Sequence, residues 1–199
     1  TNGDECTDVA LDAIEAALRD APWADHRHTL QHCQMANRAQ FKRMAKLGVG
    51  VNLFSNHLYY WGDAHISTTM GPERAARLDD AGGAIAENVA IALHSDAPVT
   101  ALAPLFTAWC AVHRLSSSGV TLGGDAEKLS VEQALHAITL GAAYSLRMDD
   151  EIGSLEVGKR ADVAILGDDP LTIDSLALKD IDVYGTMVGG LLHLNSQAE

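Results

Sequence analysis

The feature that most constrains the fold is the apolar run Val89-Ala90-Ile91-Ala92-Leu93, which ends in His94-Ser95-Asp96-Ala97-Pro98. The run is too short for a free-standing helix and reads as a buried strand. Pro98 lacks the N–H that further strand pairing would need. A carboxylate therefore stands where a buried strand stops, the place at which parallel α/β proteins carry their chemistry. Asp96 is the expected chemical centre, and the rest of the chain is its scaffold or its companions.

The remaining pattern predicts helices and strands in alternation. A helix is expected over 7–20, with Ala10, Ile14, Ala17 and Leu18 on its inner face and acidic residues in its first turns. A short strand over 28–33 carries His32 near its end. A helix over 37–47 is closed by Gly48, at the position that favours a left-handed cap. A strand over 49–54 leads into a polar and aromatic stretch over 55–63, which reads as a loop. Gly71-Pro72 opens a helical turn, and a further helix is expected over 102–115. Strand and helix in alternation imply a parallel sheet of βαβ units, and three such strands do not close a barrel.

Ser130 is answered three residues later by Gln133, a capping box that starts a helix with Val131, Leu135, Ile138 and Ala142 inward. After Met148 the texture changes. Residues 152–159 are punctuated by glycine, 161–166 read as a strand, and Gly189-Gly190 is a two-residue hairpin turn between apolar runs. Two segments are thus expected, 1–148 and a β-rich 149–199.

Net charge narrows the partners. At −13 the chain is not suited to nucleic acid or to an anionic membrane surface. No apolar run reaches the length that spans a bilayer. The three cysteines, Cys6, Cys33 and Cys110, are odd in number and widely spaced, so a reducing, cytoplasmic setting is expected. The chain opens on Thr1-Asn2-Gly3-Asp4 with no initiator methionine, and is expected to begin inside something longer.

Two strand ends carry side chains that suit a divalent ion. His32 and Asp96 are the imidazole and carboxylate that Zn²⁺ or a similar metal takes, and Asp96 could also accept the proton of an activated water. Each has an ordinary explanation as well: a hydrogen-bonded core histidine and an aspartate capping a turn. In the 55–63 stretch, His57, Tyr60, Trp61 and Asp63 could form an amphipathic wall that grips a small molecule, or the aromatics could simply pack the segment down.

The motifs Thr1-Asn2-Gly3-Asp4, Leu30-Gln31-His32-Cys33, Asn56-His57-Leu58-Tyr59-Tyr60-Trp61-Gly62-Asp63, Gly71-Pro72-Glu73-Arg74, His94-Ser95-Asp96-Ala97-Pro98 and the run from Asp150 to Asp162 go further than spacing. Together they resemble the amidohydrolase superfamily, in the branch that holds N-substituted formamide deformylases and D-aminoacylases. The resemblance implies an α/β fold: the C-terminal part of a (β/α)₈ TIM-type barrel, strands six to eight, followed by a small β-sandwich segment. It implies a metal-dependent hydrolase of non-peptide carbon–nitrogen bonds, with zinc or another divalent ion as cofactor and a small amide-like molecule as substrate. His32 would be a metal ligand after strand six. Asp96, after strand eight, would touch the metal and carry the proton of the attacking water to the leaving nitrogen. His57, Tyr60, Trp61 and Asp63 would line the substrate side. The family's histidine pair on strand one, its bridging lysine or glutamate, and the histidine before the Thr-Asn-Gly-Asp stretch have no counterpart here. The alternative expectation is therefore a catalytically incomplete half-barrel that pairs with a second copy of itself or with its missing half.

Overall fold

The computed structural model describes residues 1–195. Helix α1 (Asp4–Asp20) precedes strand β1 (Thr29–His32), helix α2 (Arg38–Leu47) and strand β2 (Gly50–Leu53). Helix α3 (Asn56–Ala64) runs into a wider turn over His65–Thr69, followed by the short helices α4 (Pro72–Ala75) and α5 (Ala81–Ala86) and strand β3 (Ile91–Leu93). Helices α6 (Pro104–His113), α7 (Val131–Ile138) and α8 (Leu140–Ser145) complete the first part. Strands β4 (Val163–Leu166), β5 (Val183–Val188) and β6 (Leu191–Leu194) follow.

Strands β1, β2 and β3 form a parallel sheet in that order, and β4, β5 and β6 form an antiparallel one. The α/β alternation expected from the sequence is what the chain adopts. In the parallel sheet His32 lies opposite Leu53, and Leu53 opposite Leu93. All three strands therefore end at one level. One face of the sheet is apolar: Leu30, Val51, Leu53, Ile91 and Leu93 share it by register and are core residues packed with Phe41 and Met44 of α2 and Trp109 of α6, while Gln31 on the other face is exposed.

Local chemistry sets the helix ends. Asn37 caps α2 by accepting from the N–H groups of Ala39 and Gln40, and Gln40 answers in a capping box. Gly48 closes that helix at φ 72°, the left-handed cap expected of it. The Ser130–Gln133 box starts α7 as read from the sequence. Gly189 and Gly190 make the β5–β6 turn at φ 57° and 86°.

Three local expectations are corrected. The 55–63 stretch is helical, not a loop. Leu58 and Gly62, one turn apart, face inward, and a Cβ on Gly62 would come within 2.9 Å of Leu122. In α1 the buried residues are Thr7 and Leu11, while Ala17 is exposed; alanine contributes too little apolar area to decide which face turns inward. The helix from 131 does not continue to Ala142, because the chain breaks at Thr139 and restarts as α8. That break presses Gly141 onto β3, where a Cβ would sit 2.3 Å from the Ile91 carbonyl oxygen. Residues 196–199, part of the expected C-terminal segment, lie outside the described residues.

The C-terminal part is tied to the first. Trp109 Nε1 donates to the Leu176 carbonyl at 3.0 Å, and Leu178 and Ile181 join the main core cluster. Arg27 bonds the Asp149 carboxylate and stacks over the Tyr144 ring at 4.3 Å. No helix among the described residues is long and apolar enough to cross a membrane.

A buried cation holds the segment between α4 and α5. Arg114, at the C-terminal end of α6, is wholly inaccessible. Its Nε donates to the Leu122 carbonyl at 2.7 Å and its terminal nitrogens to the carbonyls of Ala76, Leu78 and Asp79. Replacing Arg114 with Met would leave those carbonyls and the buried Asp79 side chain without their cation. Stability is expected to fall by about 3–5 kcal/mol, read as a lower urea midpoint. Phe41→Ala, at a fully buried position, is expected to cost about 3–5 kcal/mol through the cavity it opens; an unchanged midpoint would place Phe41 outside the core.

Candidate active site

The common level at which β1, β2 and β3 end brings together residues far apart in sequence. His32 is the last residue of β1, Phe54 follows β2, and His94 follows β3. The His94 N–H continues the sheet bonding to the Leu53 carbonyl at 3.0 Å. The rings form one cluster. His32 lies 4.9 Å from His94 and 5.6 Å from Phe54, and Phe54 stacks on His94 at 5.2 Å. From the first turns of α3, His57 packs 4.2 Å from Phe54 and 5.9 Å from His32, and Trp61 meets His57 edge-on at 5.3 Å.

Asp96 reaches back over this cluster. Its Oδ2 stands 3.6 Å from His32 Nε2, and its backbone N–H donates to His94 Nδ1 at 3.1 Å. That bond directs the proton of a neutral His94 ring to Nε2, which is buried with no hydrogen-bond partner. The loop after Asp96 is anchored below: Thr100 Oγ1 bonds the Ser95 carbonyl, and Asn56 Nδ2 donates to Thr100 Oγ1 at 2.8 Å. An open cleft lined by His94, Ser95, Asp96, Leu102 and Thr107 runs alongside.

Backbone strain concentrates here. Among the described residues eight non-glycine residues have positive φ, and His32 (70°), Cys33 (48°), Asp79 (46°), Asp96 (53°) and Arg114 (53°) are five of them. Left-handed backbone in a non-glycine residue costs about 1–3 kcal/mol and gathers at sites where geometry is put to use. Burial also shapes the electrostatics. His57 is pushed down to about 3 by burial, with the imidazoles of His32, His65 and His94 adding to the shift. His94 falls to about 4 for the same first reason. Both rings are thus neutral at physiological pH; on His94 the Nδ1 lone pair is already taken by the Asp96 N–H, whereas His57 keeps one for a proton or a ligand.

The residues read from the sequence do not all converge. His32 and Asp96 meet, and His57 and Trp61 join them. Tyr60 is half exposed and packs on Trp61, Tyr59 and Phe106, reaching the cluster only through Trp61. Asp63 is engaged elsewhere: its carboxylate accepts hydrogen bonds from the hydroxyls of Ser116, Ser117 and Ser118 and from the Ser118 N–H. Those donors hold it below the usual carboxylate range. It fastens the 116–118 turn to α3.

His94, which by sequence reads as structural although it lies two residues from Asp96, sits within the cluster, and two further members of the neighbourhood carried no sequence signal. Phe54 gave no signal beyond its position at a strand end. Asp79 is fully buried, its carboxyl oxygens are unpartnered, and Oδ2 stands 3.8 Å from an equally unpartnered His57 Nδ1. Burial pushes its carboxyl well above the usual range, and the Arg114 cation acts against that shift. In the sequence Asp79 adjoins Asp80, whose side chain caps α5 through the Gly83 N–H, so the pair reads as ordinary helix-end acids.

A divalent ion can be tested against this geometry. Two donors each about 2.0–2.1 Å from a tetrahedral ion lie roughly 3.4 Å apart. The His32–Asp96 separation of 3.6 Å is close to that and beyond hydrogen-bond length. The orphaned Nε2 of His94 lies in the same cluster but carries the ring proton while Nδ1 accepts from the Asp96 N–H, so it adds no third ligand. Among the described residues no group of three or more histidine, cysteine, aspartate or glutamate side chains converges closely enough to hold an ion. The pair fits one side of a metal centre, and three or four protein ligands are usual.

Comparison with known proteins bears on the family and the fold. The sequence profile described as Amidohydrolase family matches residues 1–192. The N-substituted formamide deformylase of Arthrobacter pascens is 30% identical over 190 residues, an alignment covering 96% of this chain and 35% of that protein. Among solved structures, an uncharacterized metal-dependent hydrolase from Pyrococcus furiosus superposes with a TM-score of 0.70 at 28% identity, over 85% of this chain and 33% of that one. Another from Pyrococcus horikoshii gives a TM-score of 0.73 at 26% identity, over 86% and 33%. The chain thus spans about a third of the length of these relatives. A profile match over nearly its whole length, on a parallel sheet whose strand ends gather histidines and an aspartate, means that the chain belongs to the amidohydrolase family.

Proposed function

We propose that this chain supplies the C-terminal, proton-handling part of a metal-dependent hydrolase that cleaves a non-peptide carbon–nitrogen bond of the amide type. The observation that carries the reading is the approach of His32 and Asp96, 64 residues apart in sequence, to 3.6 Å at the ends of parallel strands. The name of the Arthrobacter relative, an N-substituted formamide deformylase, supports a small amide-like substrate. In this reading β1, β2 and β3 are three successive strands of a (β/α)₈ barrel, and the antiparallel sheet is one layer of a β-sandwich.

His32 and Asp96 would hold the ion, zinc or another divalent metal. Such an ion polarises a carbonyl and makes a water acidic. Asp96 is placed to take a proton and return it to the leaving nitrogen, since its carboxylate is partly accessible beside the cleft. His57 and Trp61 would flank the substrate. Tyr60, half exposed, would meet only the outer part of a larger one.

The second reading is that the chain alone is an incomplete half-barrel that pairs with a second copy or with a partner supplying the rest of the site. It is favoured by the two-donor limit and by strands β1 and β3, each with one neighbour among the described strands. Strand β6, exposed along its length, would need a cover in the same way.

Titration of the 199-residue chain with Zn²⁺ separates the two. Stoichiometric binding that is weakened by His32→Ala and by Asp96→Asn is expected from a working metal site. No binding, together with a dimer in sedimentation, would favour the half-barrel. In a hydrolytically competent protein containing this chain, Asp96→Asn is expected to lower kcat by about 10²–10⁴-fold with an unchanged circular dichroism spectrum. Loss of the folded spectrum would make Asp96 a structural cap instead. Turnover of an N-substituted formamide that persists in excess chelator would refute the metal-dependent reading.

A further inference from the structure

We propose that Asp79, held in place by Arg114, is a positioning residue for His57: a carboxyl oxygen of Asp79 accepts the Nδ1–H of the His57 ring and leaves Nε2 as a hydrogen-bond acceptor. Nothing in the Asp96 mechanism uses Asp79, yet its side chain is fully buried, both of its oxygens lack a donor, and its backbone is held at φ 46°. A buried carboxyl group without partners is costly, so its neighbours decide its role.

Those neighbours leave one donor in reach. Arg114 is wholly buried and does not shed its proton; Asp79, Asp80 and Glu127 are the acids whose field supports its charge. Asp80 is paired with Arg38 at 3.1 Å and Glu127 accepts from the Gly124 N–H, whereas neither side-chain oxygen of Asp79 has a donor. The guanidinium nevertheless spends its hydrogen bonds on backbone carbonyls at Leu122, Ala76, Leu78 and Asp79 itself. It clamps the backbone that carries the carboxyl group and leaves both carboxyl oxygens open. Nδ1 of His57 stands 3.8 Å from Oδ2, just beyond hydrogen-bond length, and is itself buried with no partner. Two orphaned groups of complementary type face each other, and a small rotation of either side chain closes the bond. Of the two His57 ring nitrogens only Nδ1 is a buried orphan. With its proton fixed there, the lone pair is on Nε2. A buried carboxylate that fixes the tautomer of a histidine in this way is a recurrent device of catalytic and metal sites.

The consequence for substrate choice rests on the hydrolase reading: a His57 that accepts at Nε2 selects molecules that present an N–H or O–H to it, such as a secondary amide or its amine product. The tautomer itself can be read without turnover. Two-bond ¹H–¹⁵N correlation spectra of the full chain at neutral pH report which nitrogen of each of the nine histidines is protonated, and loss of one ring's signals in His57→Gln assigns His57. Protonated Nδ1 and bare Nε2 are expected in the unsubstituted chain. In Asp79→Asn, where an amide can donate to Nδ1, the ring is expected to move to the Nε2–H form or to average between the two. An Nε2–H tautomer in the unsubstituted chain overturns the proposal, as does an unchanged tautomer in a folded Asp79→Asn chain. If Asp79→Asn fails to fold, the spectrum of the unsubstituted chain decides alone. Absence of hydrolysis with a confirmed Nδ1–H would remove the enzyme reading and leave this one standing.

Discussion

The register of the parallel sheet is the constraint from which the rest follows. Because His32 pairs with Leu53 and Leu53 with Leu93, three strands stop together. Side chains from positions 32, 54, 94 and 96 then gather at one edge. A slip of one residue in β1 would turn the His32 side chain to the opposite face. The burial of Leu30 makes such a slip expensive, since it would exchange places with the exposed Gln31. Packing of the core is thus also what aims the site.

The site is the costly part of the fold. It combines left-handed backbone at His32, Cys33, Asp79 and Asp96 with buried polar atoms on His57, His94 and Asp79 that lack partners. Neither arrangement favours stability. Both are tolerated because the elements beneath are over-determined. Asn56, Thr100 and Ser95 form a buried hydrogen-bonded chain under the Asp96 loop, and Arg114 fixes the segment from Ala76 to Asp79 through its carbonyls. Polar groups left unsatisfied in such a rigid frame mark the places where an ion, a proton or a ligand would be welcome.

Much of this was legible in the sequence, for physical reasons. The strand before Asp96 is an unbroken apolar run, the cap at Gly48 and the box at Ser130 are local signals, and two glycines announce the β5–β6 turn. These depend on neighbours along the chain. The helix over Asn56–Ala64 was hidden because polar and aromatic residues dominate it, and its inner face, Leu58 and Gly62, acquires meaning only once Leu122 packs against it. His32 and Asp96 stood out through motif and strand end. Asp63 carried the same kind of signal and was bound by serines 53 to 55 residues away. Asp79 and Arg114 could not be seen, because their roles come from burial, and an acid beside another acid or an arginine at a helix end usually faces water.

The placement of Thr1 bears on how the chain is handled at the bench. Its amino group donates to the Gln31 carbonyl at 2.6 Å, its hydroxyl lies 3.3 Å from Cys33 Sγ, and the Asn2 carbonyl accepts from the Met35 N–H. Any polypeptide fused ahead of it therefore emerges beside the mouth formed by His32. A polyhistidine affinity tag attached there would bring its own imidazoles to the edge that carries His32 and Asp96 and imitate their side chains in any metal titration.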